Sequence, residues 1–209
     1  MSERIIKTDA DVAEGAAWLA AYDPRFANAL ELCGPLPLRR REDGFRELLS
    51  AITSQQLSVA SANSIWVRME AAGMCDPAPI LAASEAEFRA CGFSRQKIGY
   101  AQDLAAADLD YAAFRTLPSD EVMRQLIAIR GIGTWTAEIY VMFSLGRADV
   151  FAPGDLALQE AAKVLFNLDE RPTEKELRKM SEKWTPWRSV AARLLWAYYR
   201  VEKEREGIR

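Results

Sequence analysis

The chain has 209 residues, half of them hydrophobic and 27% charged, with a net charge of −3. That is enough for one sizeable domain or two small lobes of an ordinary soluble protein. There is no histidine, which excludes His-based triads, His–metal sites and His general acid–base catalysis. Cys33, Cys75 and Cys91 are odd in number and widely spaced. They form neither a disulfide framework nor a zinc or iron–sulfur ligand set. Any catalysis therefore rests on carboxylates, Lys, Tyr or Cys. No run of about eighteen apolar residues occurs, and the opening MSERIIKTDADV is too charged for a signal peptide. A cytoplasmic protein with no membrane partner is expected. Charge is uneven along the chain. Residues 171–209 hold eleven Lys/Arg against six Asp/Glu, leaving sixteen against twenty-four for residues 1–170. A basic terminal segment beside an acidic body suits a local phosphate-binding face, although a solvated helix would account for it equally well.

In chain order, residues 9–22 read as a helix with an Asp cap, followed by a short helix over 24–32. The run CGPLP breaks the pattern, and Leu38-Arg39-Arg40-Arg41 follows as an extended segment. Phe45, Leu48, Leu49 and Ile52 recur at helical spacing. The polar SQQ then leads to Leu57, and Ser58 caps a further helix ended by Gly73. Residues 77–90 read as one helix, with Ser84 and Glu87 as a capping box, and 94–107 as the next. Residues 111–118 read as a connection. Ser119 is expected to cap the helix DEVMRQLIAI, and Thr134 the helix WTAEIYVMFSLG. Helices follow over LALQEAAKVLFN and EKELRKMSEKW, the latter capped by Thr173 with Glu176. Pro186 opens a long final helix. No strand pattern and no repeat is present, so the fold class is all-α.

The most informative stretch is LIAIRGIGTWTAEIYVMFSLGRADVFAPGD, residues 126–155. Gly131-Ile132-Gly133 joins two helices by a turn that side chains would block. Amides at Gly131, Gly133, Thr134 and Thr136 then face outward as an anion site, which lets an acidic protein hold a phosphate with few basic side chains. Such a turn is as often a plain helix–helix connection. Twenty-two residues beyond Gly133, Asp155 follows Pro153-Gly154 and opens the next helix. Amide hydrogen bonds and the helix dipole favour the ionised carboxylate there. A simple N-cap would by itself also explain Asp155.

AITSQQLSVASA (51–62), IRGIGTWTAE (129–138), DVFAPGDLALQ (149–159) and WTPWRSVAARLLW (184–196) together resemble the helix–hairpin–helix DNA glycosylases, the HhH-GPD superfamily. Within it they are similar to the alkyladenine branch, 3-methyladenine DNA glycosylase II. The resemblance implies a monofunctional hydrolase of base-excision repair that flips an alkylated purine out of double-stranded DNA and cleaves its N-glycosidic bond. By similarity, Asp155 is the catalytic carboxylate, stabilising the positive charge that builds on the deoxyribose. Trp135 stands where bifunctional members carry a Schiff-base lysine. An indole cannot form an imine, so no lyase activity is implied, and its ring suits a flipped, electron-poor base. Leu57 matches the wedge that fills the gap left in the duplex, and Gln55 and Gln56 beside it are expected to contact the opposite strand or to face solvent. Trp184 and Trp187 match an aromatic cluster near the base pocket, with Arg188 on the DNA face. The position of a pocket tyrosine in the bacterial relatives falls on Ile139. Tyr140 is one place off and points about 100° round the helix. Trp66, Tyr100, Trp196, Tyr198 and Tyr199 are read as core.

The resemblance further implies two helical lobes with the active-site cleft between them, lobe one over about residues 43–150 and lobe two over about 1–42 with 151–209. The N-terminal β domain of some bacterial members is not expected. No cofactor is required. A Na⁺ or K⁺ ion held by the carbonyls of Ile127, Ile129 and Ile132 is the one metal site the family implies. A monomer acting at the nucleoid is expected. Two other readings stand beside this one. The first is a non-catalytic DNA-structure binder, which has no need of Asp155 and the Pro-Gly loop. The second is a glycosylase for oxidised or mismatched bases, against which Trp135 counts.

Overall fold

The structure is a computed structural model in which residues 3–205 are described. It is helical, and among the described residues the only extended pairing is an isolated bridge between Ile5 and Arg147. Two compact units emerge, one formed by residues 41–140 and the other by residues 1–40 with 141–209. The second division falls at residue 140, where the sequence reading put it near 150.

The discontinuous unit is built on α13 (Arg188–Arg205), which packs against α1 (Asp9–Tyr22), α2 (Pro24–Cys33) and α11 (Leu156–Phe166). Its core is aromatic: Trp184 lies 5.3–5.7 Å from the rings of Phe26, Phe151 and Phe166. Gly15 on α1 admits Trp187 and Val190. A Cβ there would sit 2.6 Å from the indole and 2.7 Å from the valine methyl. Arg193 is a large charged side chain sealed in this core, 1% exposed. It donates to the Leu38 carbonyl through Nε and Nη2 and to the Ser189 carbonyl and hydroxyl through Nη1. Its guanidinium also lies 4.8 Å from the Phe143 ring centroid. Burial, aided by Arg39 and Arg40, pushes it down to about 9, so it stays charged at neutral pH. These hydrogen bonds pin the segment before residue 41 to α13.

The continuous unit contains α3 (Phe45–Ser54), α4 (Val59–Ala71), α5 (Pro77–Ala82), α6 (Glu85–Cys91), α7 (Arg95–Ala106), α8 (Tyr111–Phe114) and α9 (Ser119–Ile127), and the division falls within α10 (Thr134–Phe143). Helix α7 is its centre, carrying α3 and α5, while α4 packs on α3 and α6. Tyr140, buried on α10, accepts the Gly44 amide at 2.8 Å, and burial pushes its phenol up to about 12.

Several local expectations are corrected. The cap of α1 is Thr8, paired with Asp11 in a capping box, because its extended backbone leaves the hydroxyl facing the Asp11 amide. Residues 77–91 form two helices: extended Ala83 ends the first, and Ser84 with Glu87 caps the second. Ser119 lies inside α9 rather than capping it, and the 111–118 connection contains a helical turn. Thr134 is the first residue of α10, and the final helix begins at Arg188 rather than at Pro186.

Gly15→Ala is expected to lower stability by about 1–3 kcal/mol, the usual cost of overpacking a filled core. A urea-unfolding midpoint equal to that of the parent would contradict this packing.

Candidate active site

Asp155 is the N-cap of α11. Its Oδ1 accepts from the amides of Ala157 at 2.9 Å and Leu158 at 3.1 Å. The same oxygen accepts from the indole Nε1 of Trp196 at 3.2 Å. The Trp196 ring rests against Phe143 at 5.8 Å, with the Arg39 guanidinium 5.8 Å from its centroid on a backbone of φ 51°. The loop leading to Asp155 is braced at four points. Arg188 grips Asp149 through two bonds of 2.7 and 3.1 Å. The Ser189 amide donates to the Ala148 carbonyl, the Gln159 amide group to the Pro153 carbonyl, and the Asp155 amide to the Ala152 carbonyl. The carboxylate is thus a fixed, partly exposed anion.

In the continuous unit, α9 and α10 are joined by the glycine hairpin. Gly131 has φ 97°, and a Cβ on it would meet Tyr100 Cγ at 2.4 Å, so no other residue fits. Ile132 tucks inward at 3% exposure, and its amide donates to the Ile129 carbonyl. Gly133 and Thr134 face outward, and nothing lies within 4 Å of where a Gly133 Cβ would stand. Trp135 is 46% exposed at the start of α10. Ile139 is half-buried and Thr136 is buried.

The loop after α3 lies beside this hairpin. Gln55 turns inward, its Nε2 donating to the Gly131 carbonyl at 2.8 Å. Gln56 is exposed with φ 56°, and Leu57 is 40% exposed.

The outcome for the sequence-predicted residues is mixed. Asp155, Trp135, Leu57 and the outward face of the hairpin keep solvent access. Trp184 and Trp187 do not: they are 3% and 2% exposed, the first in the phenylalanine cluster and the second between Gly15 and the Arg4 guanidinium 4.2 Å above its ring. The apolar surface they bury seats them in the core, and neither ring presents a face outward. Arg188 is committed to Asp149. Gln55 is bonded within the protein, contrary to both expectations for it. Trp196, expected as core, instead touches the carboxylate. Its only sequence signal was that a half-buried indole needs an acceptor for its N–H, which names no partner.

Two helices joined by a glycine hairpin, with an aspartate-bearing loop after them, form a helix–hairpin–helix arrangement. The family model for the HhH-GPD superfamily base excision DNA repair protein matches residues 49–186. DNA-3-methyladenine glycosylase 1 of Schizosaccharomyces pombe is 31% identical over 85% of this chain and 83% of its own length. A solved S. pombe 3-methyladenine DNA glycosylase in complex with abasic DNA is 31% identical with a TM-score of 0.75, covering 88% of this chain and 95% of that one. A DNA-3-methyladenine glycosidase from Bacillus halodurans is also 31% identical with a TM-score of 0.82, covering 98% and 95%. The chain belongs to the HhH-GPD superfamily, in its alkyladenine glycosylase branch, and is a hydrolytic DNA glycosylase.

The two hairpin glycines are expected to differ. Gly131→Ala meets both the left-handed backbone and Tyr100, and should cost about 1–3 kcal/mol or more. Gly133→Ala meets open space and should leave the denaturation midpoint nearly unchanged. Equal losses at the two positions in chemical denaturation would refute the distinction.

Proposed function

We propose that the protein releases N-alkylated purines of the 3-methyladenine type from double-stranded DNA, by flipping the nucleotide and hydrolysing its N-glycosidic bond without cutting the strand. The observation that carries this reading is Asp155, an anion fixed by three donors in a protein with no histidine.

Such a base is already cationic. As the bond from C1′ to the base nitrogen breaks, its electron pair leaves with the base and neutralises it. The positive charge moves to the sugar, where the Asp155 carboxylate stabilises it. Water adds at C1′ and gives up its proton to solvent, and the leaving group needs no acid catalyst. Trp135 offers a half-exposed indole to an electron-poor flipped base. It has no amine with which to attack C1′, so the abasic strand is left intact.

In this reading the exposed amides at Gly133 and Thr134 hold a backbone phosphate, and Leu57 is the wedge that enters the duplex. Carbonyls of Ile127, Ile129 and Ile132 suit a hard monovalent cation. That of Ile129 already accepts the Ile132 amide, which leaves it one lone pair for such an ion. With this reading go a monomeric working form and a place at the bacterial nucleoid.

Incubation with methylated duplex DNA should release 3-methyladenine, with no nicking of the product and no covalent trapping by borohydride. Asp155→Asn should abolish most release while retaining DNA affinity; a fully active variant would sink the mechanism. Trp196→Phe keeps a ring against Phe143 but loses the N–H, and should slow single-turnover release about tenfold, the worth of one hydrogen bond to a charged group. Gly133→Ala should weaken duplex binding.

A further inference from the structure

The loop between α3 and α4 is held by contacts that neither the chemistry nor the family resemblance assigns. We propose that Gln55 and Lys97 form a latch that ties the wedge loop to the hairpin, with Gln55 as the residue that sets how far Leu57 projects. This rests on the wedge role proposed for Leu57.

Two side chains one turn apart on α7 reach both partners. Lys97 donates from Nζ to the Thr53 carbonyl at 2.6 Å, at the C-terminal end of α3. A cation there also meets the negative end of the helix dipole. Burial pushes its ammonium below the ordinary lysine range, as befits a group withdrawn from water onto one carbonyl. Tyr100, three residues on and so on the same helix face, fills the space under Gly131. The end of α3 and the base of the hairpin are therefore both referenced to α7.

Gln55 closes the circuit. Its side-chain amide crosses to the Gly131 carbonyl, 76 residues away in sequence. That acceptor cannot drift, because Tyr100 and the positive φ fix the residue that bears it. Ordering a glutamine side chain costs up to about 2 kcal/mol of rotamer freedom, so a free loop would not hold it there unaided.

The next residue, Gln56, is chemically identical but faces solvent in the left-handed region, at φ 56°. A non-glycine residue there is mildly strained and persists where its flanks are fixed. The Leu57 amide then returns to the Ser54 carbonyl at 3.2 Å, and the leucine side chain points outward. The run Ser-Gln-Gln-Leu thus divides into an anchor, a reversal and a projecting apolar tip. The height of that tip is measured from the same hairpin that would hold the phosphate.

A latch of this kind differs from a merely stabilising contact in what it changes. Loss of general stability would weaken binding to every duplex alike. Loss of positioning weakens the preference for DNA in which a gap is open to be filled.

The test uses the full chain and two duplexes of one sequence, one intact and one carrying a tetrahydrofuran abasic-site analogue, with 2-aminopurine placed opposite the site to report unstacking. Gln55→Ala should lower the abasic-over-intact preference about fivefold, the worth of one net hydrogen bond. It should also reduce the 2-aminopurine signal, with affinity for intact duplex nearly unchanged. Gln55→Met, which keeps the size and removes the donor, should behave the same and covers the case in which the alanine variant is poorly folded. Lys97→Met should repeat the loss, and Lys97→Arg should restore most of it. In the double variant with Leu57→Ala, the Gln55 substitution should add nothing.

If Leu57→Ala loses the preference and neither Gln55 variant does, the latch is wrong and the wedge stands. Additive losses would mean that Gln55 acts on DNA directly, which also overturns the latch. If Leu57→Ala itself changes nothing, wedge and latch fall together.

Discussion

Three donors converge on Oδ1 of Asp155: the amides of Ala157 and Leu158 and the indole of Trp196. The amides come free with the helix start, since the first turn of any helix leaves its N–H groups without intrahelical acceptors. The indole does not. It has to be delivered by α13, and much of the unit around it can be read as the means of delivery. Arg188 and Ser189, at the head of α13, hold Asp149 and the Ala148 carbonyl, which ties the helix to the loop that leads to Asp155. One turn further on, buried Arg193 fastens the Leu38 carbonyl to the same helix. A buried guanidinium is expensive to desolvate. Here it is satisfied by two carbonyls and a hydroxyl, and the face of Phe143, which also abuts Trp196, covers it.

In the proposed reading the continuous unit solves a different problem, that of approaching a polyanion with an acidic chain. Its answer is a turn in which backbone does the work of side chains. The two glycines that make the turn are not equivalent. Gly131 is required from below, by Tyr100 and by its own φ, whereas Gly133 is open above. The first is a demand of the fold, and the second leaves room for a ligand to approach the main chain. A motif that reads Gly-x-Gly in sequence thus contains one glycine for packing and one for access.

Much of this was legible in the sequence, and the exceptions have a common cause. Helices with polar caps and strong periodicity were plain, because capping and amphipathicity are local. Asp155 and Trp135 stood out because residue type alone suggests a chemistry for each: an anion at a helix start, and a ring where the family's lyases carry an amine. What failed was the assignment of partners. Tryptophan at 184, 187 and 196 looks alike in sequence, yet two of the three are core and the third holds the carboxylate. Gln55 and Gln56 are adjacent and identical, yet one is an internal strut and the other faces water. In both cases the deciding fact is which distant group lies opposite, and no local pattern encodes it. Some exceptions were local, such as the split of residues 77–91 into two helices: the capping box at Ser84 and Glu87 already marked a helix start in the middle of the single helix assigned there.

The identity of the third donor to Asp155 also bears on the chemistry. A lysine or arginine could have held the carboxylate more tightly, since bonds to charged donors are the stronger kind. In the proposed mechanism it would also have cancelled the charge that the reaction uses, because a carboxylate in an ion pair has less field left for a developing cation on the sugar. The amides and the indole orient the group through hydrogen bonds while themselves adding no net charge. The same logic suits the chain's lack of histidine. A protonatable ring beside the carboxylate would make its field depend on pH near neutrality, and a leaving base that is already cationic asks for no proton in return. In the proposed reading, orienting one anion with amides and an indole is a coherent strategy for departure of a charged purine. It is less suited to neutral bases, for which a proton donor to the leaving group would matter.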